Sequence, residues 1–278
     1  MTKITACVDG ANYTEAVCDY AAWAAMRVDA ALEFLHVLVP SPQERLDASG
    51  SIGLGAHETL LAELADLDQR RNTLAREHGQ RILESAQQRA VSSGVKEVGV
   101  RQRHGELVET LLELEDDTRL FVLGQHDYKH KPKRFLLDHN LEGAVRTLKR
   151  PILVATGSFQ PPRSFLIAFD ASATGRAMVE MVANSPMLRG LQGVIATVGG
   201  DAEALDHAAE TLRHAGFDID TERLDGEPAD ALLGFAKQKG MDMLVMGAYG
   251  HSRIRQWMVG STTTTILRRT DIPAFILR

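Results

Sequence analysis

The sequence predicts an α/β protein of two tandem, doubly wound domains, each an open, mostly parallel five-stranded sheet with helices on both faces. Three observations carry this: landmarks that recur in one order, alternation of two hydrophobic periods, and a Pro/Gly/Ser joint near the middle of the chain. The first landmark is an apolar run closing on Asp, in ITACVDGAN (4–12) and LIAFDASAT (166–174). Next, His104-Gly105-Glu106 matches Asp225-Gly226-Glu227, and Leu120 to Gly124 matches Met243 to Gly247. Last, each half ends in a Pro-led apolar run, Pro151 to Ala155 and Pro273 to Leu277. The later landmarks are offset by about 121–123 residues, so the chain reads as one unit written twice.

Within each unit, apolar runs of four to six residues bounded by Gly, Pro or Asp read as strands buried on both faces. Between them, apolar residues recur at helical spacing, as in Leu107, Leu111, Leu112 and Leu114, and in Ala231, Leu232, Phe235 and Ala236. Such alternation implies right-handed crossovers and a parallel sheet. Residues 1–157 form the first expected domain and 164–278 the second, joined through Gly157-Ser158-Phe159-Gln160-Pro161-Pro162. The first unit carries an additional excursion, Pro40 to about Gly55, and a long helix expected from His57 to near Ser92. Its counterpart in the second unit is shorter, roughly Ala202 to His214. The last apolar run of each unit, near Ile152–Ala155 and Ala274–Leu277, would be an exposed edge that needs covering.

Composition narrows the function. The chain has 278 residues, 31 basic against 37 acidic, and a formal charge of −6, which excludes the basic surplus of a dedicated nucleic-acid binder. MTKITACVDG lacks the charged-then-apolar plan of a signal peptide, and no run approaches the roughly 20 apolar residues that span a bilayer. The expectation is a soluble, cytoplasmic protein without membrane or nucleic-acid partners. The two cysteines, Cys7 and Cys18, have no metal-ligand or redox spacing and read as buried packing.

The segment that carries chemistry runs from Gly247 through Gly250 to Gly260, Ser261 and a run of threonines, between an expected strand and an expected helix. Gly247 and Gly250 allow close backbone approach. The unpaired N–H groups of a helix opening at Gly260-Ser261 favour phosphate. His251 and Arg253 lie inside the loop, within reach of an anion or simply exposed. Each glycine alone also suits an ordinary turn or helix start; the joint spacing favours an anion cradle.

This G-x2-G-x9-G-[S/T] spacing, with the Asp-ended first strand and the Pro-led last strand, resembles the universal stress protein family, in tandem form and over essentially the whole chain. The resemblance implies a Rossmann-like fold in each half and ATP, or another adenine nucleotide, as ligand; Mg or Mn is expected to be held through the phosphates, and no residue is nominated as a metal ligand. Because single-domain members of the family pair as dimers, it also implies an internal pseudo-dimer of the two halves, with their last strands as the expected pairing edges. It implies an adenine pocket near Ala168, Phe169, Asp170 and the backbone of Val198, with ribose and phosphates over Met246, Gly247, Gly250, His251, Gly260, Ser261 and Thr262. The first unit departs from the pattern. Asp127 stands in the place of Gly250, and Asp138-His139 in that of Gly260-Ser261, so nucleotide is expected to bind poorly there.

No Walker loop, HExxH, nucleophile elbow or paired-Cys motif is present, and no spacing nominates a general base. The expected function is an ATP-binding stress-response regulatory protein acting on an unidentified protein partner, with at most weak ATPase activity. A slow hydrolase or phosphotransferase using the same site, and a non-binding scaffold, remain alternatives. Pairing of whole chains as a homodimer stays open.

Overall fold

The computed structural model describes residues 2–38, 54–125, 139–247 and 261–278. The first half runs β1 (Lys3–Cys7), α1 (Thr14–Val28), β2 (Leu32–Leu38), α2 (Leu54–Ser92), β3 (Val98–His104), α3 (Leu107–Glu113), β4 (Thr118–Gly124), α4 (His139–Thr147) and β5 (Ile152–Ala155). The second repeats the plan: β6 (Ser164–Ala168), α5 (Ala173–Asn184), β7 (Gln192–Val198), α6 (Ala202–His214), β8 (Asp218–Leu224), α7 (Pro228–Lys239), β9 (Leu244–Gly247), α8 (Ser261–Arg269) and β10 (Ala274–Leu277). Helix α2 begins at Leu54, three residues before the expected His57. Of the Pro40–Gly55 excursion, residues 40–53 lie outside the described residues.

These strands form one ten-stranded sheet, ordered β3-β2-β1-β4-β5-β10-β9-β6-β7-β8. Every pair is parallel except β5 with β10, where Ile152, Leu153 and Val154 face Ile276, Phe275 and Ala274 antiparallel. The expected pairing edges therefore meet. The two half-sheets share one register, since Ala6↔Phe34↔Val100 corresponds to Ile167↔Ile195↔Thr221. Because successive strand residues point to opposite faces, the sheet buries two apolar layers. One packs beneath α1, α2, α5 and α6, the other beneath α3, α4, α7 and α8.

Local chemistry fixes the helix ends. Ser172 Oγ accepts the Gly175 N–H at the start of α5, Asp201 Oδ1 accepts the Glu203 N–H at α6, and Glu227 caps α7, whose first residue is Pro228. Helix α7 ends on Gly240 at φ +65°, a conformation that favours glycine. Helix α2 is clamped to α1 where Arg89 donates twice to the Asp19 carboxylate, at 2.6 and 2.8 Å. It crosses β2 so closely at Gly79 that a Cβ there would lie 2.4 Å from the His36 ring.

The joint between the halves is packed rather than free. The Phe159 ring stands edge-on to Tyr20, with centroids 4.8 Å apart, and Arg27 donates to the carbonyls of Met187 and Arg189 across the halves. Leu153, fully buried at the β5–β10 seam, joins the core of both halves. Leu153→Ala is expected to destabilise the protein by about 2–5 kcal/mol. The denaturant midpoint should fall with the slope unchanged, and the two halves should unfold together.

Candidate functional site

At the carboxyl ends of β6, β7 and β9 lies a cavity of about 490 Å³. Ligands of open parallel sheets sit at such edges. Ala168 ends β6, Val198 ends β7, and Met246 and Gly247 end β9; Phe169 and Asp170 follow β6, and Thr262 lies in the first turn of α8. All seven line this one cavity. Ser261 opens α8. Gly250, His251, Arg253 and Gly260 lie outside the described residues, as do Asp127 and Asp138 of the first half.

The wall after β6 is a tight turn. Asp170 Oδ1 accepts the Ser172 N–H at 3.0 Å, with Ala171 between them at φ +57°. Gly175 packs against this carboxylate, and a Cβ at 175 would approach Asp170 Oδ1 to 2.7 Å. Asp170 Oδ2 has no hydrogen bond among the described residues. The opposite wall is the exit of β7. Odd-numbered residues there bond β8, as in Gly199 N–H to Leu224 O, while Ala196 O accepts the Phe169 N–H. Val198 therefore turns its N–H and C=O to the β6 side, beyond the end of that strand, with no partner among the described residues. The floor is apolar, from Ala196, Leu232, Met246 and Ile266, and Thr262 and Thr263 bring hydroxyls at the α8 N-terminus.

Sequence reasoning missed Thr174, Gly199, Gly200, Pro228 and Leu232 as lining residues. The Gly199-Gly200 pair directly after an apolar run was the available signal. Gly200 lies so close to Thr197 that a Cβ would meet its Oγ1 at 2.1 Å.

The first half keeps the turn, with a smaller hollow at the equivalent sheet edge. Asp9 Oδ1 accepts the Ala11 N–H at 2.8 Å, with Gly10 at φ +78°. The hollow beside it measures about 180 Å³. Equivalent positions in the shared register are larger or apolar. Leu35 stands for Ala196, Tyr13 for Thr174 and Leu141 for Thr263, and all three line the small hollow. In addition His36 Nδ1 lies 2.7 Å from the Val8 carbonyl.

Among the described residues, no group of three or more His, Cys, Asp or Glu is placed to hold a metal ion. No described helix is long and apolar enough to cross a membrane.

Fold and cavity together define a tandem α/β protein with one enlarged and one filled hollow at the carboxyl edges of its half-sheets. The profile of the universal stress protein family matches residues 1–156 and 185–278, and the chain belongs to that family. It is 33% identical over 287 residues to the universal stress protein Slr1230 of Synechocystis sp., with both chains covered in full. The fold is similar to that of a universal stress protein from Archaeoglobus fulgidus DSM 4304, with a TM-score of 0.74 at 17% identity over 99% of this chain and 98% of that one. Another universal stress protein of Archaeoglobus fulgidus, in complex with dAMP, overlaps 41% of this chain and 97% of its own, with a TM-score of 0.33 at 19% identity.

The thiols report on the same packing. Burial pushes Cys7, beside the small hollow, and Cys18, inside α1, from 9.0 up to about 12. For Cys7 the nearby Asp9 charge adds to this. Both should react with a disulfide reagent at pH 8 far more slowly in the native protein than after unfolding. Because the folded values are raised, the thiols' stabilising contribution is complete below pH 9 and is lost as pH climbs from 9 towards 12. Thermal melts across that range should show a decline, diminished in Cys18→Ala.

Proposed function

We propose that the protein is a stress-response regulator that holds one adenine nucleotide, ATP with its Mg or Mn, in the second domain (164–278), while the first domain (1–157) takes none. The single observation that carries this reading is the 490 Å³ cavity between the Val198 backbone, which has no partner among the described residues, and the α8 N-terminus. A neighbouring N–H donor and C=O acceptor on one peptide edge match the N1 acceptor and the 6-amino donor of adenine. Asp170 Oδ2 is available to a ribose hydroxyl. The opening turn of α8 offers unpaired N–H groups, the positive end of its dipole and threonine hydroxyls to phosphate. The Gly250, His251, Arg253, Gly260 and Ser261 motif continues that cradle in sequence.

Binding favours whichever conformation of this edge fits nucleotide best, and so shifts the surface presented to a protein partner. Asp170 is the one carboxylate among the described residues of the cavity, and this reading assigns it to the ribose, so turnover is expected below about 1 s⁻¹. The cytoplasm is the compartment that fits this role.

Calorimetric titration with Mg-ATP tests the assignment. One site per chain is expected, removed by Gly250→Asp or Gly260→Asp. Thr174→Tyr and Ala196→Leu, which copy the first half's Tyr13 and Leu35, should each weaken binding by about five-fold to a hundredfold, the equivalent of about 1–3 kcal/mol of steric cost. Unchanged affinity in correctly folded variants would overturn the assignment.

A further inference from the structure

Strands β3 and β8 form the two outer edges of the sheet. They carry opposite charge. Strand β3 reads VGVRQRH, with Arg101 and Arg103 and no acid; β8 reads DIDTERL, with Asp218, Asp220 and Glu222. Arg103, Asp218 and Asp220 are exposed and make no ion pair in the described residues.

The two edges also agree in backbone parity. Leu32 N–H bonds Glu97 O, and Gly105 N–H bonds Leu38 O, so odd residues of β3 face inward to β2 and even ones present N–H and C=O outward. Gly199 N–H bonds Leu224 O, so even residues of β8 face inward to β7 and odd ones outward. Two outward carbonyls are already engaged: Val98 O by Gln87 Nε2 at 2.8 Å, and Ile219 O by the Arg213 guanidinium at 2.8 and 3.0 Å. Among the described residues, the outward backbone groups of Val100 and Gln102 on one edge, and of Thr221 and Arg223 on the other, have no partner.

The sides match as well. Arg101 pairs with Glu33 at 3.0 Å, and neighbouring Leu35 packs in the layer beneath α3 and α7, so Arg101 and Arg103 project on that side. Ile219 packs in the opposite layer, beneath α6, which sends Asp220 and Glu222 to the α3/α7 side. The single antiparallel seam at β5–β10 runs β3 and β8 in opposite directions. A translated second copy therefore presents its β8 antiparallel to β3 of the first.

We propose that these edges are a docking surface for a second copy of this chain, joining β3 of one molecule to β8 of the next so that the sheet continues from chain to chain. Pairing Val100 with Arg223 and Gln102 with Thr221 joins the free backbone groups. The same register sets Arg101 opposite Glu222 and Arg103 opposite Asp220, as close non-hydrogen-bonded pairs on one face. Each edge repels its own copy and attracts the other, so the charges that guard both edges against self-pairing direct the head-to-tail union. Such an interface is heterologous, so each union leaves one β3 edge and one β8 edge for further chains, and assemblies larger than a dimer result. It does not involve the nucleotide cavity.

Sedimentation velocity and native mass spectrometry of the full chain, at low and high salt over a wide concentration range, test this. Concentration-dependent growth by whole chains is expected, diminishing with salt. Arg103→Glu or Asp220→Arg alone should weaken association at least tenfold, and the charge-swapped double variant should regain it. A mixture of Arg103→Cys and Asp220→Cys proteins should give a covalent heterodimer on mild oxidation, and Arg103→Cys with Asp218→Cys much less. A single species at all concentrations, or association indifferent to both reversals, would overturn the proposal.

Discussion

The antiparallel seam between β5 and β10 is the constraint on which the molecule rests. Ile152–Ala155 and Ala274–Leu277 are buried along their whole length, and each would be an exposed apolar edge if its half stood alone. Joining them covers both edges at once and fuses two cores into continuous layers. The seam also runs the half-sheets in opposite directions. The carboxyl ends of β6, β7 and β9 therefore open on one edge of the sheet, and those of β1, β2 and β4 on the other.

That separation lets the two hollows diverge without disturbing each other. Both halves keep the Asp turn, in Asp9–Ala11 and Asp170–Ser172, because it starts the helix that covers the sheet. What differs is side-chain volume at matched positions. Leu35, Tyr13 and Leu141 occupy space that Ala196, Thr174 and Thr263 leave open. Apolar filling of the first hollow also strengthens the core around it, at about 25 cal/mol per Å² of apolar surface buried. One half thus serves stability and the other keeps a cavity.

The fold was legible in the sequence because strands buried on both faces appear as uninterrupted apolar runs, such as Leu120 to Leu123 and Leu244 to Met246. The repeat supplied the plan of each half, and the family resemblance supplied the pairing of their last strands. Of the site, residues next to a glycine or at a strand end were legible, as with Asp170, Met246 and Gly247. The filling of the first hollow was not. Sequence reasoning placed the first half's departure at Asp127 and Asp138, which lie outside the described residues, and at His139, which opens α4. The described reason is that Leu35 on β2, Tyr13 before α1 and Leu141 on α4 converge, which depends on strand register across more than a hundred residues. The opposite charges of the sheet edges were equally silent, because neither strand's identity as an edge is a local property.

The division of labour between the hollows is the central claim, and its most direct measurement is a count. Purified protein saturated with Mg-ATP and freed of excess would be denatured, and the released adenine nucleotide quantified by mass spectrometry per mole of chain. One equivalent, abolished when Thr174→Tyr and Ala196→Leu fill the second cavity, is the expected result. Two equivalents, or one that survives those substitutions, would contradict the assignment of nucleotide to the second half alone.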